Sequence, residues 1–221
     1  MIKNKLRRII IASMIGLASI IPFKQVQAKV GGYGKFAGYY DNRDKPTATF
    51  TCGAYGLPLG SEFFGFVEME TEKDNLDNLK RPYTEACLSR KAKNGFGIAV
   101  EHDKDFVPLP SGITLPGVTR LGGMYEFKNK SNELFGCKFY PAATQNNGMQ
   151  VVLYGNKKFN KEDIVVDGFL DYNFKPGKIV TELQVGKRVK DTLYGVVEGR
   201  YNGFKDEGER TGVGVGLEWR F

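Results

Sequence analysis

The chain has 221 residues, 26% of them charged and 13% aromatic, with a formal net charge of +7. Its three cysteines, Cys52, Cys87 and Cys137, are an odd number without metal-binding spacing, which excludes a disulfide framework and a cysteine-metal centre. His102 is the single histidine, and no cofactor or metal motif is present.

The first element is a leader. MIKNKLRR carries Lys3, Lys5, Arg7 and Arg8, an apolar run follows from Ile9 to Phe23, and Val26 and Ala28 are small enough to flank a cleavage site. A basic start, a short apolar stretch and a small-residue site predict a secretory signal over 1–28 and one mature domain over 29–221. Fifteen apolar residues fall short of the roughly 18–20 that a spanning helix needs. The leader holds five positive charges, Lys24 included, so its removal lowers +7 to +2 and removes the case for nucleic-acid binding.

After the leader there is no helical periodicity. Period-two alternation recurs in segments of about ten residues. In chain order these are 31–41, 47–57, 61–72, 84–92, 95–104, 118–128, 133–141, 149–158, 163–174, 178–188, 192–203 and 210–221. Pro46, Pro58, Pro82, Pro108, Pro110, Pro116, Pro141 and Pro176 are assigned to connections or strand ends, because proline donates nothing to a ladder.

Ten of the twelve segments have one apolar and one mixed polar face. In 118–128, Leu121, Gly123, Tyr125 and Phe127 oppose Arg120, Gly122, Met124, Glu126 and Lys128. A soluble sandwich would turn the apolar face inward. Two patterns argue for the reverse. Connections alternate between long (73–83, 105–117, 142–148) and short (58–60, 93–94, 129–132), as in barrels with long outer loops and tight periplasmic turns. Aromatics gather at the ends of the apolar faces: Tyr125, Phe127, Trp219 and Phe221 at one rim, Tyr40, Phe139, Tyr172 and Tyr201 at the other. This predicts a closed antiparallel transmembrane β-barrel of about twelve strands, with ten to fourteen the range the pattern allows. Val215 and Leu170 fall on its lipid face, Gly216 and Asp171 on its lumen face.

The last nine residues, VGVGLEWRF, place Val213, Val215, Leu217, Trp219 and Phe221 at alternate positions. This resembles the C-terminal assembly signal of bacterial outer-membrane β-barrels. The resemblance implies that the insertion machinery reads this strand, that it closes on the first one, and that the protein lies among outer-membrane lipids. In size the chain is similar to small monomeric twelve-stranded channel proteins.

The lumen face carries ten acids: Glu68, Glu70, Glu85, Glu101, Glu126, Asp167, Asp171, Glu182, Glu198 and Glu218. It carries five bases: Lys35, Arg120, Lys138, Arg200 and Arg220. Phe64, Phe66, Tyr154, Phe169, Tyr194, Gln150 and Gln184 lie among them. Such polarity must face water or be paired. One reading is a cation-preferring pore for small hydrophilic solutes. The others are a salt-bridge lattice filling a non-conducting, structural or adhesive barrel, and a sugar-acid channel. The sugar-acid channels that the chain resembles in size line their lumen with basic tracks, which ten acids to five bases do not match.

Outer-membrane phospholipases supply an enzyme reading, with serine, histidine and asparagine on the barrel wall. Here His102 is assigned to the lipid face at the outer rim, with no serine motif beside it. No catalytic residue is assigned. The loop DKDFVPLPSGITLPG is unusually apolar, with Phe106, Val107, Leu109 and Leu115. The periplasmic turns are basic (Arg90, Lys91, Lys93; Lys128, Lys130; Lys157, Lys158, Lys161; Lys187, Arg188, Lys190), which would suit anionic headgroups.

Overall fold

The computed structural model describes residues 30–42, 46–72, 75–105, 117–129, 133–146 and 148–221. The leader, Lys130 and the apolar loop residues Phe106, Val107, Leu109 and Leu115 lie outside them, as do Pro108, Pro110 and Pro116.

All twelve alternating segments form strands. They are β1 (Gly31–Asp41), β2 (Pro46–Leu57), β3 (Ser61–Glu72), β4 (Asn75–Lys91), β5 (Phe96–Asp105), β6 (Val118–Lys128), β7 (Leu134–Ala143), β8 (Gln150–Phe159), β9 (Ile164–Asn173), β10 (Lys178–Lys190), β11 (Leu193–Asn202) and β12 (Thr211–Arg220). Every strand pairs antiparallel with its sequence neighbours, and β1 pairs with β12, so the sheet closes. Closure leaves no edge along the wall, as a structure surrounded by lipid requires.

The seam runs from Lys35↔Arg220 to Asp41↔Gly214. Phe221 continues it, accepting from the Gly34 N–H at 2.8 Å and donating to the Gly34 carbonyl at 2.9 Å. Here the backbones approach closely. A Cβ on Gly216 would sit 2.0 Å from the Gly38 carbonyl oxygen. The turn between β10 and β11 is tied to β12 as well: Trp219 Nε1 donates to Thr192 Oγ1 at 2.8 Å.

The two faces are inverted relative to a soluble protein. Ile98, Leu183 and Val215 are 61%, 57% and 57% exposed on the outside. Glu218 and Glu198, pointing in, are 1% and 3% exposed. Aromatic pairs mark both rims of the apolar band. Phe96 stacks on Tyr125 (4.7 Å between centroids) and Trp219 on Phe221 (5.1 Å) at the end that holds the termini; Tyr172 meets Phe174 (4.8 Å) at the other.

One boundary differs from the sequence reading. Residues 75–83 are not loop: β4 starts at Asn75 and follows β3 to the Glu72↔Asn75 pair, through register shifts at Glu70/Thr71 and Thr71/Glu72. Those shifts, with Pro82, break the period-two signal, so the sequence looked like a connection. Pro82 pairs with Met69 where β5 has already ended at Tyr83↔Asp105, an edge position that tolerates proline. Pro141 lies inside β7, past the last β8 pair at Tyr140↔Gln150, where β7 carries an extra residue against β6.

Candidate functional site

Register fixes which side chains face inward. Glu101 is opposite Arg120 on one side and Cys87 on the other; Glu182 is opposite Arg200 and Phe169; Glu218 is opposite Tyr194 and Ala37. The same alternation puts the remaining acids, bases, aromatics and amides named for the lumen on this face, in three groups.

The first joins β4 to β7. Arg120 lies 2.6 Å from Asp103 and 3.7 Å from Glu101, whose second oxygen accepts from Lys138 at 3.0 Å and from Tyr140 at 2.8 Å. Lys138 also lies 3.4 Å from Cys87 Sγ. Beside this group Asp171 accepts from Gln150 at 2.5 Å and Asn173 at 3.2 Å. Apolar atoms back it: Cys87, Ala99, Met124 and Tyr140 pack with Phe64 and Val152.

The second is centred on Arg200, which contacts Glu68 at 2.5 Å, Glu182 at 3.3 Å, and Glu198. Its guanidinium lies 5.7 Å from the Tyr39 ring, and Gln184 donates to the Tyr39 hydroxyl. The third lies toward the termini. Arg220 reaches Asp167 at 3.1 Å and Glu218 at 2.5 Å, Lys35 lies 3.5 Å from Glu218, and Lys91 bridges Glu62 at 2.8 Å and Glu126. At the opposite mouth Glu70 is 3.8 Å from Lys205.

Several of these contacts cross the lumen rather than run along the wall. Glu68 stands four strands round the barrel from Arg200, and three strands separate both Gln184 from Tyr39 and Arg220 from Asp167. An apolar cluster of Ala37, Tyr39, Val165, Tyr194 and Val196 likewise joins β1, β9 and β11. The interior is narrow, charged and bridged. Long side chains on opposite walls meet when the diameter is small.

Lys91 is a correction: alternation directs it into the lumen, not onto a basic turn. Glu62 and Asp103 join the network and were missing from the lumen set, although they share the parity of Glu68 and Glu101. Other turn cations find local acids. The Lys157 ammonium, 3.0 Å from Glu133, holds that carboxyl below its ordinary range, and Lys158 does the same to Glu162 at 2.7 Å. Of the cysteines, Cys87 points inward, Cys52 and Cys137 outward, and all three are free.

His102 is exposed on the outer face, its Nδ1 2.9 Å from Thr119 Oγ1. Ser61 and Ser89 lie toward the other end of the barrel, and Ser111 and Ser131 are outside the described residues.

Among solved structures the barrel is similar to the KdgM porin, with a TM-score of 0.54 and 13% identity over 86% of this chain and 99% of that one. It is also similar to the outer membrane phospholipase A from Escherichia coli, with a TM-score of 0.54 and 14% identity over 85% of this chain and 89% of that one. The fold is that of the outer-membrane β-barrels. No family model matches the sequence, and no curated relative does. At these identities the likeness concerns the barrel fold alone.

Proposed function

We propose that this chain is an outer-membrane channel of porin type that passes small hydrophilic solutes and prefers cations. The observation that carries the reading is a closed barrel whose apolar side faces out and whose charged side faces in, with acids in excess. Glu68 and Glu70 on β3, Glu85 on β4 and Glu101 on β5 stand on consecutive strands and form one acidic wall. Walls of Asp and Glu favour cations. Permeating ions respond to this wall and not to the net charge of the chain, because exposed charges beyond about 8 Å are largely screened.

Reversal potential under a salt gradient across a planar bilayer tests this. The wild type should be cation-selective, and Glu68→Gln with Glu70→Gln should move it toward neutrality. Anion selectivity in the wild type would overturn the preference and restore the sugar-acid reading. The KdgM porin has been solved with a disordered oligogalacturonate. The inward acids, twelve with Glu62 and Asp103 against six bases with Lys91, do not favour so anionic a solute here.

The bridges across the lumen favour a second reading, a non-conducting barrel held by its internal salt bridges. Single-channel conductance of the refolded protein separates the two, because a filled lumen gives no unitary steps. The likeness to a phospholipase makes lipid hydrolysis worth assaying on the same preparation. Among the described residues His102 has Thr119 beside it and no third group to orient the ring.

In this reading VGVGLEWRF is the assembly signal. Phe221 packs its ring against Gly34 and adds two backbone hydrogen bonds to the seam. Deleting it should lower the heat-modifiable, folded fraction in cell membranes while leaving the conductance of those barrels that do assemble unchanged. Normal yield of the truncated protein would remove the terminal residue from the signal.

A further inference from the structure

Three buried side-chain atoms among the described residues have no hydrogen-bond partner: Gln150 Oε1, Gln184 Oε1 and Glu198 Oε2. All three are acceptors, and each belongs to a residue 3% exposed. A buried polar atom left without a partner costs free energy, so such atoms indicate groups that something else must meet. Here what is missing is a donor.

Two of the three are neighbours. Gln184 and Glu198 are direct partners across β10 and β11, both facing the lumen. The charge around them is unbalanced in the same sense. Glu68, Glu182 and Glu198 share the single guanidinium of Arg200, so three acids crowd one base. Lys35, the base on the facing seam, lies 3.5 Å from Glu218 and serves that carboxylate. The group that fits therefore carries positive charge and donates hydrogen bonds.

A metal ion is a poor match, because no three Asp, Glu, His or Cys side chains converge to hold one among the described residues. A primary ammonium is a better one. Its three N–H groups can be met by Glu198 Oε2, Gln184 Oε1 and the oxygen of Tyr39, the hydroxyl that Gln184 already contacts. The Tyr39 ring, already near one cation in Arg200, adds an aromatic face.

We propose that the lumen holds a binding site for a primary ammonium group between Gln184, Glu198 and Tyr39, making amine-bearing organic cations the solute class of the channel. The assignment of solute class rests on the channel reading; the binding site does not. The test is therefore binding first, measured by saturation-transfer NMR on the refolded barrel in detergent at fixed ionic strength. Ethylammonium is the probe, and tetramethylammonium, with the same charge and no N–H donor, is the comparison.

Ethylammonium should saturate and bind roughly tenfold or more tightly than tetramethylammonium, the worth of about one charge-assisted hydrogen bond. Glu198→Gln should weaken ethylammonium by roughly tenfold, and Gln184→Leu by several-fold. The wild-type comparison needs no variant to fold. Equal binding of the two cations, or no saturable ethylammonium binding by a barrel that conducts, overturns the site and leaves water as the missing donor. Saturable ethylammonium binding by a barrel that shows no conductance keeps the site and overturns the channel.

Discussion

Arg200→Met should destabilise the barrel by about 3–5 kcal/mol, the range for removing one partner from a buried charge pair. Among the described residues Arg200 is the one cation in contact with Glu68, Glu182 and Glu198, and all four side chains are mostly shielded from solvent. Without it, three carboxylates on β3, β10 and β11 face one another with no guanidinium between them. The loss is measured by urea unfolding of the refolded protein. Arg200→Lys should recover only part of it, because an ammonium cannot reproduce the planar fork that serves several carboxylates at once. The same change removes the bridge from β11 to β3 across the lumen, so barrels that do fold should conduct more per channel. A cost below about 1 kcal/mol would place these charges in bulk-like water, in a lumen wider than the contacts imply.

The second large effect lies on the other face. Val215→Arg should cost about 2–4 kcal/mol, as for a charge near the middle of a lipid-facing band. Val215 is 57% exposed and is flanked on the seam by Tyr40 and on the other side by Val197. Val180→Arg should cost much less, because Val180 faces the lumen opposite Asp171, where a guanidinium finds a carboxylate. Equal costs at the two positions would mean that the outer surface does not meet lipid. Gly216 is not a usable comparison despite its lumen parity. Its Cβ has no room against Gly38, so any side chain there forces the seam apart.

The contrast between Val180 and Gly216 shows what the sequence carries. Period two gives each residue a face, and it gives the strands, the closure and the inward charges. Every lumen acid and base named from alternation has inward register. Alternation does not say how far apart two walls are. The bridges from Arg200 to Glu68 and from Arg220 to Asp167 depend on strand number and stagger together, and those follow only from the closed sheet. Nor does it report close backbone approach, which is why Gly216 looked like an open position. The start of β4 was hidden for another reason. The register shifts past Glu70 move side chains between faces, and a parity count resets at each one. Lys91 was missed by proximity: it sits at the edge of a basic turn, although it shares the parity of Glu85 and Cys87, and its partners Glu62 and Glu126 lie in the lumen.

The long β3–β4 pair also gives the barrel a surface of its own outside the lumen. A tilted spanning strand needs about 9–11 residues, and β4 has 17. Only Thr71 and Glu72 of β3 extend past Glu70, so at about 3.3 Å per residue the paired hairpin rises about 7 Å beyond it, and β4 takes up its surplus residues in the two register shifts. Neither β2 nor β5 is paired with it beyond Glu70 and Tyr83 among the described residues. It forms a short lip on the side opposite the termini. An antibody or a phage tail on that side can touch this hairpin without entering the barrel. Surface recognition could then change with the tip of the hairpin while the charged interior stays the same.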